Sequence, residues 1–183
     1  MRLSKTLYLG TYIAGIPLSG IMNVYGMSLE KSQEGIGTIL IVLAYIIMFM
    51  VIFLWFHLYY MAWKAIQDGH ARTMPARAVG FLFVPFFNAY WMFQAIWGFA
   101  KDYNAFIARH SMSVKRLPEK LFLAYVISCL LWVIPGVNIF AAVITLVLNI
   151  PIMWKMCDAI NALRGVSLET DMPDAQESAG ELA

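Results

Sequence analysis

His57 is the one ionisable side chain set well inside an apolar run, in the hexapeptide WFHLYY. An ionisable group at membrane depth is by default a candidate relay or ligand site. Its place toward the end of a long apolar stretch, among Trp55, Tyr59 and Tyr60, favours instead a hydrogen-bonded histidine at the membrane boundary. Asn138, Thr145 and Asn149 stand at offsets 0, 7 and 11, on one helical face. With Ala141 and Ala142 nearby, that face suits close packing and interhelical hydrogen bonds, and it could also line a polar path. Asn88 and Gln94 read as a helix cap and interhelical glue before they read as ligand contacts. Asp102 and Asp158 lie near a boundary, where Lys101, Lys155 or Arg109 could pair with them in solvated ion pairs.

Other chemistries find little to work with. His70 and His110 lie in loops without a spacing that links them into a metal site. Cys129 and Cys157 sit in apolar stretches, which suits buried free thiols rather than a disulfide framework or a zinc cluster. The methionines are scattered, which does not suit copper handling. There is no Ser-His-Asp spacing, no phosphate-binding glycine loop and no paired carboxylates within an apolar pocket. The reading is therefore of a protein that is not an enzyme, with no cofactor, no metal and no catalytic residue.

The elements that must position these residues follow from composition. Of the 183 residues 61% are hydrophobic and 13% charged, with a mean hydropathy of +0.70. A soluble domain is nearer half apolar and about a quarter charged. The few charges here cannot cover so much apolar surface, so the bilayer is the expected solvent. The basic residues flank apolar segments, which makes them topology signals rather than a nucleic-acid surface. Nucleic acid is not an expected partner.

Spans of about 20 apolar residues cross the hydrocarbon core. Residues 7–27 meet that length, with Pro17 expected to kink the helix. The first span carries the Arg2/Lys5 flavour of a signal peptide but no clean cleavage site, so it reads as retained. Residues 36–67 form a second, longer helix, and 119–134 and 138–163 two more. The tail after Arg164 carries Glu169, Asp171, Asp174, Glu177 and Glu181 without a base and is expected to be disordered. The chain thus divides into a membrane-embedded domain, 1–164, and an acidic tail, 165–183.

The stretch VPFFNAYWMFQAIWGFAKDYNAF (84–106) decides the topology. Read as one crossing, it divides the basic residues between both sides of the membrane. Read as a re-entrant hairpin over about 77–107, it places every basic residue but Lys31 on one side with both termini, as the positive-inside bias requires. Pro85 should stop a first arm at Val84, and Asn88 should cap a return helix from Ala89. A turn at mid-membrane needs cover from protein, which the four-span bundle could supply. The fold class expected is an all-α integral membrane protein with four transmembrane helices plus one re-entrant hairpin.

PFFN (85–88) has an echo in PGVN (135–138). Three helix ends also place a tryptophan just before or a few residues before a lysine: Trp63-Lys64, Trp97 with Lys101, and Trp154-Lys155. These echoes suggest three helix pairs with the middle one truncated; the simpler reading is that any span ending at the inner boundary closes on Trp and Lys. Pro85, Asn88, Gln94, Asp102, Pro135, Asn138, Asn149 and His57 are the residues singled out.

The run WKAIQ (63–67) followed by PARAVGFLFVPFFNAYWMFQAIWG (75–98) resembles a family of uncharacterised bacterial multi-pass inner-membrane proteins. The likeness covers about 63–107. It implies a bacterial inner membrane with both termini cytoplasmic, and it carries over no catalytic residue. The function expected is a non-catalytic accessory or scaffold subunit, working in the lipid bilayer through other membrane proteins or as a homo-oligomer. The alternative is a small-solute channel or transporter using the hairpin around Asn88.

Overall fold

A computed structural model describes residues 2–30 and 32–180, with side chains described except at Glu34 and 166–180. Lys31, expected alone on the far side, lies outside the described residues, as do residues 181–183 of the acidic tail. Helix is the only regular structure among the described residues.

The first two helices, α1 (Lys5–Leu29) and α2 (Glu34–Ala65), run antiparallel. Ser4 caps α1 by accepting from the Leu7 N–H, and Pro17 stays inside the helix rather than ending it. The pair closes on backbone. A Cβ on Gly26 would stand 2.9 Å from the Gly37 carbonyl oxygen, and one on Gly37 would stand 2.7 Å from the Gly26 oxygen. Small residues permit this approach, which is how helices associate where lipid removes any hydrophobic drive between them.

A polar loop leads to α3 (Pro75–Gly80), whose first residue is a proline in the position that needs no N–H. A 3-10 turn follows at Phe81–Phe83. The chain breaks at Val84 (φ −82°, ψ 114°), as the following Pro85 demands. The return helix comprises α4 (Phe87–Met92), a wide π-helical turn (Phe93–Trp97) and α5 (Gly98–Arg109). A helix–turn–helix thus occupies the stretch read as a hairpin. One detail is corrected: the cap position is Phe86, at φ 62° and ψ −41°, and Asn88 lies inside the first turn. The Asn88 N–H is already taken by the Val84 carbonyl at 3.0 Å, so helical bonding begins before the residue expected to start it.

The last pair is α6 (Glu119–Leu130), a 3-10 turn at Leu131–Val133, and α7 (Asn138–Gly180). Three helices are long and apolar enough to cross a membrane: Lys5–Leu29, Gly35–Ala65 and Asn138–Gly165. The expected crossing at 119–134 is shorter, because α6 holds 12 residues before tightening into the 3-10 turn. The acidic tail, expected without structure, continues the backbone of α7 helically to Gly180.

The core is asymmetric. Leu58, Tyr59, Trp63, Phe99, Tyr103, Phe122, Ile152, Met153, Met156 and Ile160 are fully buried. They come from the C-terminal part of α2, from α5, from the start of α6 and from the middle of α7. Large apolar residues nearer the opposite end, among them Ile21, Val24, Phe49, Ile139 and Phe140, are exposed.

Candidate functional site

Two places gather polar or strained groups at positions the sequence singled out: a charged clamp at the mouth of the 75–109 hairpin, and a pair of proline turns. The clamp is built on Arg72, in the loop before α3. Its backbone N–H donates to Asp102 Oδ2 at 2.9 Å, its Nε and Nη2 donate to Asp102 Oδ1 at 2.9 and 2.7 Å, and its Nη1 donates to Gln94 Oε1 at 3.1 Å. A planar guanidinium can satisfy several acceptors in one fixed fork. Gln94 and Asp102 are thereby brought together on the return helix, with Gln94 Nε2 donating to the Tyr90 hydroxyl at 3.1 Å.

A second pair closes the same mouth. Arg109 Nη2, at the end of α5, donates to Asp68 Oδ2 at 2.8 Å, and the His70 backbone N–H donates to Asp68 Oδ1 at 3.0 Å. The Arg109 hydrogen bond holds the Asp68 carboxyl below its usual range. The partners expected for the acids are thus corrected. Asp102 takes Arg72 and Asp158 takes Lys5, instead of Lys101, Lys155 or Arg109. The partners come from loops and a terminus that folding brings in, 30 residues away for Arg72.

Two asparagines act as backbone clamps. Asn104 donates to the Leu117 carbonyl at 2.9 Å and accepts from the Leu117 N–H at 2.8 Å. Asn161 does the same to Leu3, at 3.0 and 2.7 Å. Each offers an irregular segment the two hydrogen bonds that a neighbouring strand would. The Trp-Lys pattern needs revision. Trp63 is fully buried, its Nε1–H donating to the Ala95 carbonyl in the π-turn at 2.9 Å, so it is a core residue and not part of an interfacial belt. Lys101 does sit over the Trp97 ring, 3.5 Å from its centroid, whereas Trp154 takes Lys5 rather than Lys155.

The proline turns share two backbone hydrogen bonds and differ in a third, which runs from the Phe87 N–H to Pro85 O at the first and from the Val137 N–H to Ile134 O at the second. Val84 N–H bonds to Phe81 O and Asn88 N–H to Val84 O; fifty residues on, Ile134 N–H bonds to Leu131 O and Asn138 N–H to Ile134 O. Val84 and Ile134 are both extended, at φ −82°, ψ 114° and φ −90°, ψ 113°. The residue after each proline has positive φ: 62° at Phe86 and 85° at Gly136. Glycine takes such a φ at no steric cost; phenylalanine does not. Phe86 is also 97% exposed, so the turn expected under the cover of the bundle is bare in the single chain.

Of the remaining residues, Asn149 and Thr145 are buried and Asn138 is exposed, so the three do not form one buried face. Asn149 Oδ1 accepts from Trp55 Nε1 at 3.2 Å. Thr145 Oγ1 donates to Ser128 Oγ at 2.8 Å and accepts from Trp132 Nε1 at 3.3 Å. Asn138 starts α7 beyond the core, with its side-chain oxygen turned back to the Ile139 N–H at 3.0 Å. His57 Nδ1 meets the Tyr8 hydroxyl at 2.7 Å, with the rings near parallel at 9°. Among the described residues no cluster of three His, Cys, Asp or Glu could hold a metal ion. Comparison with protein-family models, with curated proteins and with solved structures finds no match.

Proposed function

We propose that this is a non-catalytic membrane protein that works by holding partner membrane proteins, or further copies of itself, against the tips of its hairpins. The observation that carries the reading is the bare tip at Phe86. Irregular backbone is not left facing lipid inside the hydrocarbon region, because lipid offers its N–H and C=O groups nothing. From Pro75 to Phe83 the first arm rises only about 15 Å, half of a hydrocarbon core of roughly 30 Å. An arm of that length, entering from the basic side, ends near mid-membrane, and a second protein is the cover that the chain itself lacks.

In the topology proposed, α1, α2, α6 and α7 cross and 75–109 re-enters, with both termini on the basic, cytoplasmic face of a bacterial inner membrane. Support comes from the Lys5–Asp158, Arg72–Asp102 and Arg109–Asp68 pairs, which join the start of α1 to α7 and the loop after α2 to α5. A cysteine placed at Ser113 should label from the cytoplasmic side; labelling from outside would refute the hairpin.

Function is tested by affinity capture in a gentle detergent, followed by mass spectrometry. A stoichiometric membrane partner, or a defined oligomer, that is lost on Phe86→Ser supports the scaffold reading. Solute flux in liposomes that disappears on Asn88→Leu would overturn it in favour of a channel or transporter.

A further inference from the structure

We infer that the pocket between the loop before α6 and the middle of α7 holds the phosphate of one anionic phospholipid. Lys115, Arg116 and Lys155 line it, beside Tyr103, Asp158 and Ala162. The acid in that wall is already taken. Asp158 pairs with Lys5, which also lies over the Trp154 ring. Lys155, a partner expected for Asp158, stays in the wall without it. Among the described residues no carboxylate pairs with Lys115, Arg116 or Lys155. The backbone of α7 is helical to Gly180, so Glu169, the first acid of the tail, stands about 21 Å along the axis from Lys155, too far for the two side chains to meet. Three cations thus face a space whose own acid is spoken for, and the charge complement of that space is an anion. A guanidinium can meet two phosphate oxygens with parallel hydrogen bonds, and an ammonium meets them as a point charge.

Size and surroundings select the ligand. The pocket holds about 50 Å³. One water takes roughly 10–15 Å³ by the same measure, so the space suits about four oxygens, the number a phosphate carries. A shallow apolar groove of about 360 Å³ adjoins it, lined by Ile150, Pro151, Trp154 and Lys155. Lys155 belongs to both walls. Pro151, Lys155, Asp158 and Ala162 stand at offsets 0, 4, 7 and 11, on one face of α7, so groove and pocket form one track. α7 is long and apolar enough to cross a membrane. An acyl chain lies along the groove, and its headgroup reaches the cations where the helix leaves the bilayer. The Lys155 stem follows the apolar groove while its ammonium turns to the phosphate. Basic pockets between transmembrane helices on the cytoplasmic side take anionic headgroups in this way. The site rests on α7 crossing the membrane and not on the scaffold reading.

The test is a titration of phosphatidylglycerol into the full-length protein in a non-ionic detergent, counting bound lipid by native mass spectrometry. One lipid should bind ahead of the rest. Arg116→Gln and Lys155→Gln should each weaken that first event about fivefold, the worth of one basic residue near an anionic headgroup. Arg77→Gln with Lys101→Gln removes charge from the first hairpin and should leave it unchanged. Weakening by that pair as large as by Arg116→Gln, or no saturable first lipid, would overturn the site. Inorganic phosphate competing as well as the lipid, mole for mole, would overturn the lipid assignment, since the groove would then contribute nothing. A first event that tightens on Glu169→Gln with Asp171→Asn as much as it weakens on Arg116→Gln would overturn it too, with the tail as the occupant instead. Arg116 is exposed, so Arg116→Gln alone decides the matter should the Lys155 variant fail to fold. If a cysteine at Ser113 labels from the cytoplasmic side and no first lipid saturates, the site falls while the topology stands.

Discussion

The hairpin at 75–109 and the pair formed by α6 and α7 both turn through an extended residue and a proline, and they are held by different chemistry. In the first, the fastening is charge at the mouth: Arg72 with Asp102 and Gln94, and Arg109 with Asp68. In the second, it is hydroxyl groups close to the tip, where Thr145 joins Ser128 to Trp132. The residue at positive φ differs too, phenylalanine in one and glycine in the other, both of them exposed. A mouth in contact with water can use ion pairs, whereas a tip among apolar helices can use only neutral partners without a large desolvation cost. The second turn is made of a residue that suits its conformation. The first accepts strain, which a local fold tolerates where something else holds it in place.

Substitutions can break or sharpen this contrast. The largest effect belongs to Gly136→Phe, which copies the first turn into the second. No atom lies within 4 Å of a Cβ built at Gly136, so the cost is conformational, about 1–3 kcal/mol. Apparent unfolding free energy in mixed micelles measures it; an unchanged value would mean that positive φ is no burden at either turn. Asp102→Ala comes next, at about 1.5 kcal/mol for the loss of charge-assisted bonds to Arg72. Hydrogen exchange should show the opening confined to 66–109, and opening across α6 as well would erase the distinction between the two fastenings.

Phe86→Gly runs the other way. It should stabilise the isolated chain by about 1 kcal/mol by relieving the strained φ, while weakening capture of whatever covers the tip. Thr145→Val should cost about 0.6 kcal/mol, the usual worth of a hydrogen bond between membrane helices. Acid gives the smallest effect and the cleanest contrast. The Asp68 carboxyl titrates below its usual range in the folded chain, so its contribution is complete above about pH 4 and is lost as pH falls through the lowered value. The first hairpin should therefore loosen in acid before the second, and Asp68→Asn should abolish that difference. Proteolysis of the 66–74 loop across a pH series reads it directly.

Much of this frame is legible in the residue order. Long apolar runs mark α1, α2 and α7, and Pro85 and Pro135 mark both breaks, because a missing N–H and a fixed φ act locally. The partners of the acids are not legible. Arg72 reads as one more topology charge in a loop, and only folding sets it beside an aspartate 30 residues on. Phe86 carries no signal either, since nothing about a phenylalanine announces a left-handed φ. Trp63 misleads for a related reason: a tryptophan beside a lysine looks interfacial until α5 covers it. The reciprocal grip of Asn104 on Leu117 and of Asn161 on Leu3 is not legible either, since it depends on segments that approach from elsewhere.

The π-turn at Phe93–Trp97 sets an angle as well as a shape. A wide turn of this kind holds one residue more than the α-helix around it, and each residue of an α-helix advances the side-chain direction by about 100°. The insertion therefore rotates α5 relative to α4, like a coupling that joins two shafts out of phase. Phe81 and Phe87 meet Trp91 upstream of it, while Phe99 meets Trp63 and Phe122 downstream. Deleting one residue within 93–97 would bring the two halves back into phase. Phe99 and Tyr103 would then swing out of the core, with every side chain of the sequence otherwise kept.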